Sequence, residues 1–258
     1  MSRRIRVFVI AVVGLLAAGA TIAMRLDAAG PESSALAESL AGVETTTTTA
    51  PTTTTTVDPG DEGFLAAHAV VPSVNLYASP TDPNPIGALS NPTAEQVPLV
   101  LLVRDEQGHR FKVLMPERPN SVEAWIDQAD VLTNEVPNRI LVEVGARRLT
   151  VFEGHSDRAL VTMTVAVGSD ATPTPLGEFY VDISVAQNTY TPWILSVSGF
   201  SEVLTSFGGG RGQIAIHGWS DPSVLGQNIS NGCVRVSFDD LWRLRDLAPV
   251  GTPVDIVA

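Results

Sequence analysis

From Phe64 to the C-terminus the chain is a succession of short apolar or alternating runs, each cut within a few residues by Gly, Pro, Asn or Asp. Only one soluble stretch keeps helical spacing. Runs so short and so punctuated cannot build a helical bundle, so the folded part must be mostly strand. The single helix is predicted just after the only cysteine. Ser237 and Asp240 form an S-x-x-D start, Phe238, Leu241, Leu244 and Leu247 recur at helical spacing, and Pro249 with Gly251 ends the pattern. Pro253 to Val257 then reads as a last strand. The expected fold class is mainly β, a sandwich or barrel with one short helix, preceded by a smaller all-β block.

The N-terminus has a different character. Arg3, Arg4 and Arg6 precede an uncharged apolar run from Val7 to Met24, closed by Arg25. Its length predicts a single-pass membrane anchor over residues 1–26, with the N-terminus cytoplasmic and the rest extracytoplasmic. Ala18-Gly19-Ala20 has the small-x-small form of a cleavage site, which leaves a secreted protein with a removed signal as the alternative. Residues 27–63 form a Thr/Pro-rich tract with little to bury, read as a disordered linker. The net charge of −12 provides no electrostatic footprint for nucleic acid.

Two blocks follow the linker. Residues 64–136 carry Val74-Asn75-Leu76-Tyr77, the apolar run Val97 to Val103, Phe111 to Met115 and Glu123-Ala124-Trp125-Ile126, separated by proline-rich turns. The spacing resembles bacterial SH3-like domains, which implies a small all-β module. Residues 138–258 begin with strand patterns at Ile140 to Val144, Leu149 to Glu153 and Leu160 to Val167. A loop over residues 169–177 contains Pro173-Thr174-Pro175, and strand character resumes from Glu178 to Val185. Residues 187–211, which mix aromatics, serines and Gly208-Gly209-Gly210, read as a long loop region or flap with room for short strands.

Cys233 has no partner for a disulfide within the chain, so its thiol is either packed and inert or used in chemistry. A thiol attacks only as the thiolate, and with an ordinary pKa of roughly 8.5 it needs a base beside it. Of the four histidines, His217 is the best placed. Gln213-Ile214-Ala215-Ile216 alternates as a strand leading to it, and Gly218 leaves the backbone open after it. His68, His109 and His155 read as solvated loop residues. Ahead of the cysteine, Ser230-Asn231-Gly232 is a small polar turn able to aim successive N–H groups at one point, as an oxyanion requires. Spacing alone leaves acyl transfer by a Cys–His pair and a buried inert thiol both open. One Cys with scattered His forms no ligand cluster, so neither metal nor cofactor is expected.

Three strings in this order, Pro173-Thr174-Pro175-Leu176-Gly177-Glu178-Phe179, Ile214-Ala215-Ile216-His217-Gly218 and Ser230-Asn231-Gly232-Cys233-Val234-Arg235, resemble the L,D-transpeptidase (YkuD-like) catalytic domain. The resemblance covers residues 138–258. It implies an L,D-transpeptidase-like β-sandwich or barrel and a cysteine-dependent acyltransferase acting on peptidoglycan stem peptides as donor and acceptor. Cys233 would carry the acyl group as a thioester, His217 would move the protons, and Gly218 would fix the imidazole tautomer through its carbonyl. Backbone N–H groups of Asn231, Gly232 and Cys233 would form the oxyanion hole. Many members have His where this chain has Asn231, a change tolerated if the position contributes a backbone N–H.

Candidates for substrate binding are Ser230, Arg235, Trp219, Tyr190 and Trp193, each with a structural alternative: closing the turn for Ser230, pairing with an Asp for Arg235, packing for the aromatics. Carbapenem-type β-lactams would be covalent inhibitors. An L,D-carboxypeptidase, with water taking the acyl group, and a non-catalytic wall-binding protein are the competing functions.

Overall fold

The computed structural model describes residues 63–187 and 189–258. The first block contains β1 (Phe64–Ala69), β2 (Ser73–Leu76), β3 (Gly87–Ser90), β4 (Val100–Gln107), β5 (Arg110–Leu114), β6 (Glu123–Asp127) and β7 (Val131–Val136). Five of these form an antiparallel sheet in the order β6-β5-β4-β1-β7. β2 and β3 pair as a separate hairpin, tied to β6 by a bridge between Tyr77 and Trp125. The alternating residues of these strands meet in one core that includes Ala67, Val74, Leu101, Val113 and Ile126. β1 is paired on both sides, so His68 belongs to an interior strand with Nε2 buried, not to a solvated loop.

The second block contains β8 (Asn138–Glu143), β9 (Arg148–Glu153), β10 (Ala159–Thr164), β11 (Val167–Gly168), β12 (Gly177–Ala186), β13 (Trp193–Phe200), β14 (Gln213–Gly218), β15 (Asn228–Ser230), β16 (Val234–Val236), the helix α1 (Phe238–Leu247) and β17 (Pro253–Val257). Eight strands form one sheet, ordered β10-β9-β8-β17-β12-β13-β14-β16. Just past β10, Ala166 bridges to Arg235 in β16, at the far edge, and β11 pairs with β15. The two edges are thereby brought together and the sheet is nearly closed, the mainly β class that the pattern predicts.

α1 starts as its sequence requires. The Ser237 hydroxyl accepts the Asp240 N–H at 3.1 Å, an N-cap contact that satisfies one of the donors left free at a helix start. Leu241 and Leu244 are fully buried, facing the core that lines β13, β14 and β16.

Residues 187–211 depart from the loop expectation, because β13 occupies eight of them in mid-sheet. Ser196, Ser198 and Gly199 dilute its apolar signal, yet each fits a strand. The Ser198 hydroxyl accepts the Tyr180 N–H at 3.1 Å, and Gly199 lies against the Phe179 ring, where a Cβ would come within 2.7 Å.

The described residues fall within a single unit, Thr54–Ala258. Tyr180 of β12 is fully buried in the core of the first block. Asn120 pairs with Phe200 as a strand would, its amide donating to the Phe200 carbonyl and its oxygen accepting the Phe200 N–H, both at 2.8 Å. The Arg118 guanidinium donates to the carbonyls of Ser201, Leu204 and Arg211.

One expectation is corrected. The anchor run at residues 7–24, and most of the linker, lie outside the described residues. Among the described residues no helix is long and apolar enough to cross a membrane. α1 has ten residues, about 15 Å at 1.5 Å per residue, half the ~30 Å of a hydrocarbon core. The single-pass anchor, the membrane as a partner and the location built on them are therefore withdrawn.

Candidate active site

β14 and β16 run parallel, with Ile216 opposite Val234 and His217 opposite Arg235. Side chains alternate along a strand, so this register sorts the residues into two sets. Ile214, Ile216, Val234 and Val236 point inward and are buried in the main core. Ala215, His217, Cys233 and Arg235 share the opposite face. The patterns Ile-Ala-Ile-His and Cys-Val-Arg-Val thus put the thiol and the imidazole on one side of adjacent strands, although sixteen positions separate them.

His217 is buried at 4% exposure. Its Nδ1 lies 3.0 Å from the Gly218 carbonyl oxygen. A carbonyl only accepts, so Nδ1 carries the proton and Nε2 keeps its lone pair. Burial holds the imidazole below its usual pKa, opposed by the Gly218 hydrogen bond and reinforced by the Arg235 charge. The neutral base is the resting form. Burial also pushes the Cys233 thiol up, against a backbone hydrogen bond at Ala215 and the charge of Arg235. Near neutral pH the pair is thiol and imidazole, the arrangement for general-base activation.

Gly218 must be glycine on packing grounds. A Cβ there would stand 2.4 Å from Phe238 Cδ1 and 3.0 Å from Leu241 Cδ2, because the start of α1 lies directly against the backbone. Gly232 is glycine for a different reason: its φ of +111° lies where other residues are strained.

The turn before the thiol is tied internally. Ser230 is 1% exposed. Its hydroxyl donates to the Cys233 carbonyl at 2.5 Å and accepts the Gly232 N–H at 3.1 Å. The Ser230 carbonyl in turn accepts from Ser169 N–H at 2.9 Å and Thr172 Oγ1 at 3.0 Å. The proline-containing loop at residues 169–177 is thereby fastened to the cysteine turn, which places two of the three sequence strings side by side. Asn231 is exposed at the tip.

Of the substrate-binding candidates, three gather around the imidazole. Tyr190 meets the His217 ring edge-on at 5.2 Å, Trp219 lies 5.9 Å from the same ring, and the two aromatics are 6.3 Å apart. The Arg235 guanidinium stacks 3.7 Å above the Trp219 ring, and its buried Nε has no hydrogen-bond partner. Tyr190 is half exposed, and burial together with the Cys233 charge raises its pKa. Trp193 stands elsewhere: its indole donates to Ser184 Oγ and its ring packs near Trp242 of α1. Among the other histidines, His155 packs on Phe64 and His109 lies beside Asp127, so neither joins this cluster.

One polar residue of the cluster carries no mark in the sequence. Thr191, 3% exposed, accepts the Gly218 N–H on its hydroxyl at 3.0 Å and donates to the Trp193 carbonyl at 2.9 Å. It lies in the stretch that reads as loop, with neither a partner at fixed spacing nor a periodic pattern to single it out.

Residues 137–256 match the L,D-transpeptidase catalytic domain, YkuD. The matched domain contains every residue of the cluster. The chain is 33% identical over 124 residues to a protein named as the L,D-transpeptidase YkuD of Bacillus subtilis, covering 47% of this chain and 66% of that protein. The Bacillus licheniformis protein of the same name gives the same identity and coverage. The chain thus spans slightly less than two thirds of these relatives. Among solved structures, an L,D-transpeptidase from Mycobacterium smegmatis aligns at 15% identity and a TM-score of 0.40, covering 62% of this chain and 90% of that one. One from Mycobacterium tuberculosis aligns at 11% and 0.42 with the same coverage.

Proposed function

We propose that this protein is a peptidoglycan L,D-transpeptidase that forms cross-links through a thioester on Cys233. The observation that carries the reading is the β14–β16 register, which sets Cys233, the residue just before β16, on the same side as His217 by alternation, with Nδ1 held by the Gly218 carbonyl and Nε2 left as base. In the first half-reaction Nε2 takes the thiol proton as Sγ bonds to the carbonyl carbon of a donor stem peptide. The tetrahedral oxyanion is held by backbone N–H groups of the 231–233 turn. Because the Gly232 N–H serves Ser230 Oγ, the Asn231 and Cys233 amides are assigned the larger share. The carbon–nitrogen bond then breaks, and the imidazolium returns its proton to the departing D-amino acid.

In the second half-reaction an acceptor amine enters and His217 removes its proton. The amine nitrogen bonds to the acyl carbon and the Cys233 thiolate leaves, regaining the proton from the imidazolium. Arg235, stacked on Trp219 with a buried, unpartnered Nε, is assigned the stem-peptide carboxylate, and Tyr190 and Trp219 form walls of the cleft. Carbapenem-type β-lactams would acylate the same thiol. The block at residues 64–136 is assigned the role of an SH3-like module that holds the catalytic segment, through the contacts of Arg118 and Asn120.

The test supplies the full chain with a tetrapeptide donor and a diamino-acid stem as acceptor. The reading predicts a cross-linked product with release of the terminal D-amino acid. Release of tripeptide alone would make the protein an L,D-carboxypeptidase, and absence of both products would leave a wall-binding role.

A further inference from the structure

The residue that fixes the base is itself held by a side chain from another strand connection. β13 and β14 pair in register as far as Ile194 opposite His217. One residue further along β14 the N–H of Gly218 meets the Thr191 hydroxyl at 3.0 Å, while the next N–H, of Trp219, goes to Val236 of β16 at 2.9 Å. A side chain from the β12–β13 connection therefore stands in for a backbone acceptor at the end of the ladder. The same hydroxyl donates to the Trp193 carbonyl at 2.9 Å, so its single proton is committed and its lone pair faces Gly218. The two peptides flanking Gly218 are thus held separately, the 217–218 unit by Thr191 and the 218–219 unit by Val236, and the carbonyl of the second accepts from His217 Nδ1.

We infer that Thr191 is a positioning residue, holding the 217–218 peptide by the Gly218 N–H and thereby seating His217 against the Gly218 carbonyl that keeps the proton on Nδ1. The inference rests on the reading of His217 as the base. Two consecutive residues act on the imidazole: Tyr190 closes on the ring at 5.2 Å, and Thr191 holds the peptide that joins it to Gly218. Removing the hydroxyl leaves a buried N–H without an acceptor and frees the 217–218 peptide, while the peptide carrying the Gly218 carbonyl stays tied to Val236 through the Trp219 N–H; imidazole and carbonyl are then no longer held in one geometry, and the lone pair of His217 is no longer confined to Nε2. A displacement of these two residues would disturb the cleft wall and the base together.

The test compares the full-length protein with Thr191→Val, which keeps the shape and loses the hydroxyl, and with Thr191→Ser, which keeps the hydroxyl. Thr191→Ala serves as a second deletion should the valine variant fail to fold. The first readout is the pair of ring-nitrogen shifts of His217 in 15N NMR, which needs no substrate. The second is the rate of Cys233 acylation by a carbapenem across pH. The expected result is a mixed tautomer and an acylation rate reduced at least roughly tenfold in the deletion variants. Their acid limb moves to lower pH, because the Gly218 hydrogen bond supports protonation. Thr191→Ser keeps the native tautomer and the rate.

A wild-type tautomer and rate in the deletion variants would overturn the inference. So would a serine variant as impaired as they are, since the methyl contact would then be the cause. If the wild-type protein is not acylated, the reading of the site fails, while the tautomer measurement still decides the role of Thr191.

Discussion

Ser230 Oγ donates to the carbonyl of Cys233 at 2.5 Å and accepts the N–H of Gly232. The peptide of Cys233 is thereby held by a buried hydroxyl three residues earlier. Ser230→Ala removes both bonds and leaves a buried carbonyl and N–H unpaired, at a cost of about 1–3 kcal/mol. The midpoint of urea unfolding is expected to fall accordingly, and carbapenem acylation of Cys233 to slow in the fraction still folded. An unchanged midpoint and rate would show that the turn holds its shape without the hydroxyl.

Gly218→Ala brings a Cβ to 2.4 Å from Phe238 Cδ1. Helix α1 must shift or the strand end must bend, an overpacking cost of about 1–3 kcal/mol. Phe238 is partly exposed, so Phe238→Ala combined with Gly218→Ala is expected to recover part of the loss, as read from denaturation midpoints of the two single variants and the double. Additive losses would place the strain elsewhere.

The pH dependence follows from His217. Its folded-state pKa lies below the ordinary 6.5, so the unfolded chain takes up this proton first on acidification. The stability contributed by the neutral buried ring is complete above about 6.5 and is lost as pH falls from there through the folded pKa. Acylation follows the same base and is expected to decline only below about pH 6.5. Alkylation of Cys233 by iodoacetamide, limited by thiolate, should keep rising above the ordinary thiol range, because burial raises its pKa. An alkylation plateau near pH 6 would indicate a resting thiolate–imidazolium pair instead.

Asp182 titrates in the opposite sense. Burial raises its carboxyl from 3.8 to about 6, against hydrogen bonds from Gln213 and Ser196. The folded form holds a proton that the unfolded form has already released, so stability contributed by the protonated carboxyl is complete below about 4 and lost as pH rises through 6. Asp182→Asn is expected to stabilise the protein at pH ~7.5 by on the order of 2 kcal/mol, with the gain vanishing below pH ~4. A gain independent of pH would assign the effect to something other than this titration.

The β class and the position of α1 were legible because each depends on local chemistry, whereas spacing alone left Cys233 open between chemistry and burial, and the resemblance carried by the three ordered strings joined it to His217 and Gly218. Alternation over Gln213 to Ile216 marks the strand that leads to His217, and Ser237 with Asp240 marks a helix start by capping alone. β13 was not legible, because Ser196, Ser198 and Gly199 are set by neighbours on other strands: a Tyr180 N–H to satisfy and a Phe179 ring to admit. His68 misled for the same reason, since pairing on both sides of β1 is a property of the whole sheet. Thr191 is the clearest case. Its partners Gly218 and Trp193 lie on two strands, and no spacing in the chain relates it to either.

The central claim, that Cys233 is the acyl-carrying nucleophile, is tested most directly by intact-protein mass after incubation of the full chain with a carbapenem. One adduct on the wild-type protein, mapped to the peptide containing Cys233, and none on Cys233→Ala is the predicted result. An adduct that persists in the alanine variant, or maps to another residue, would contradict it.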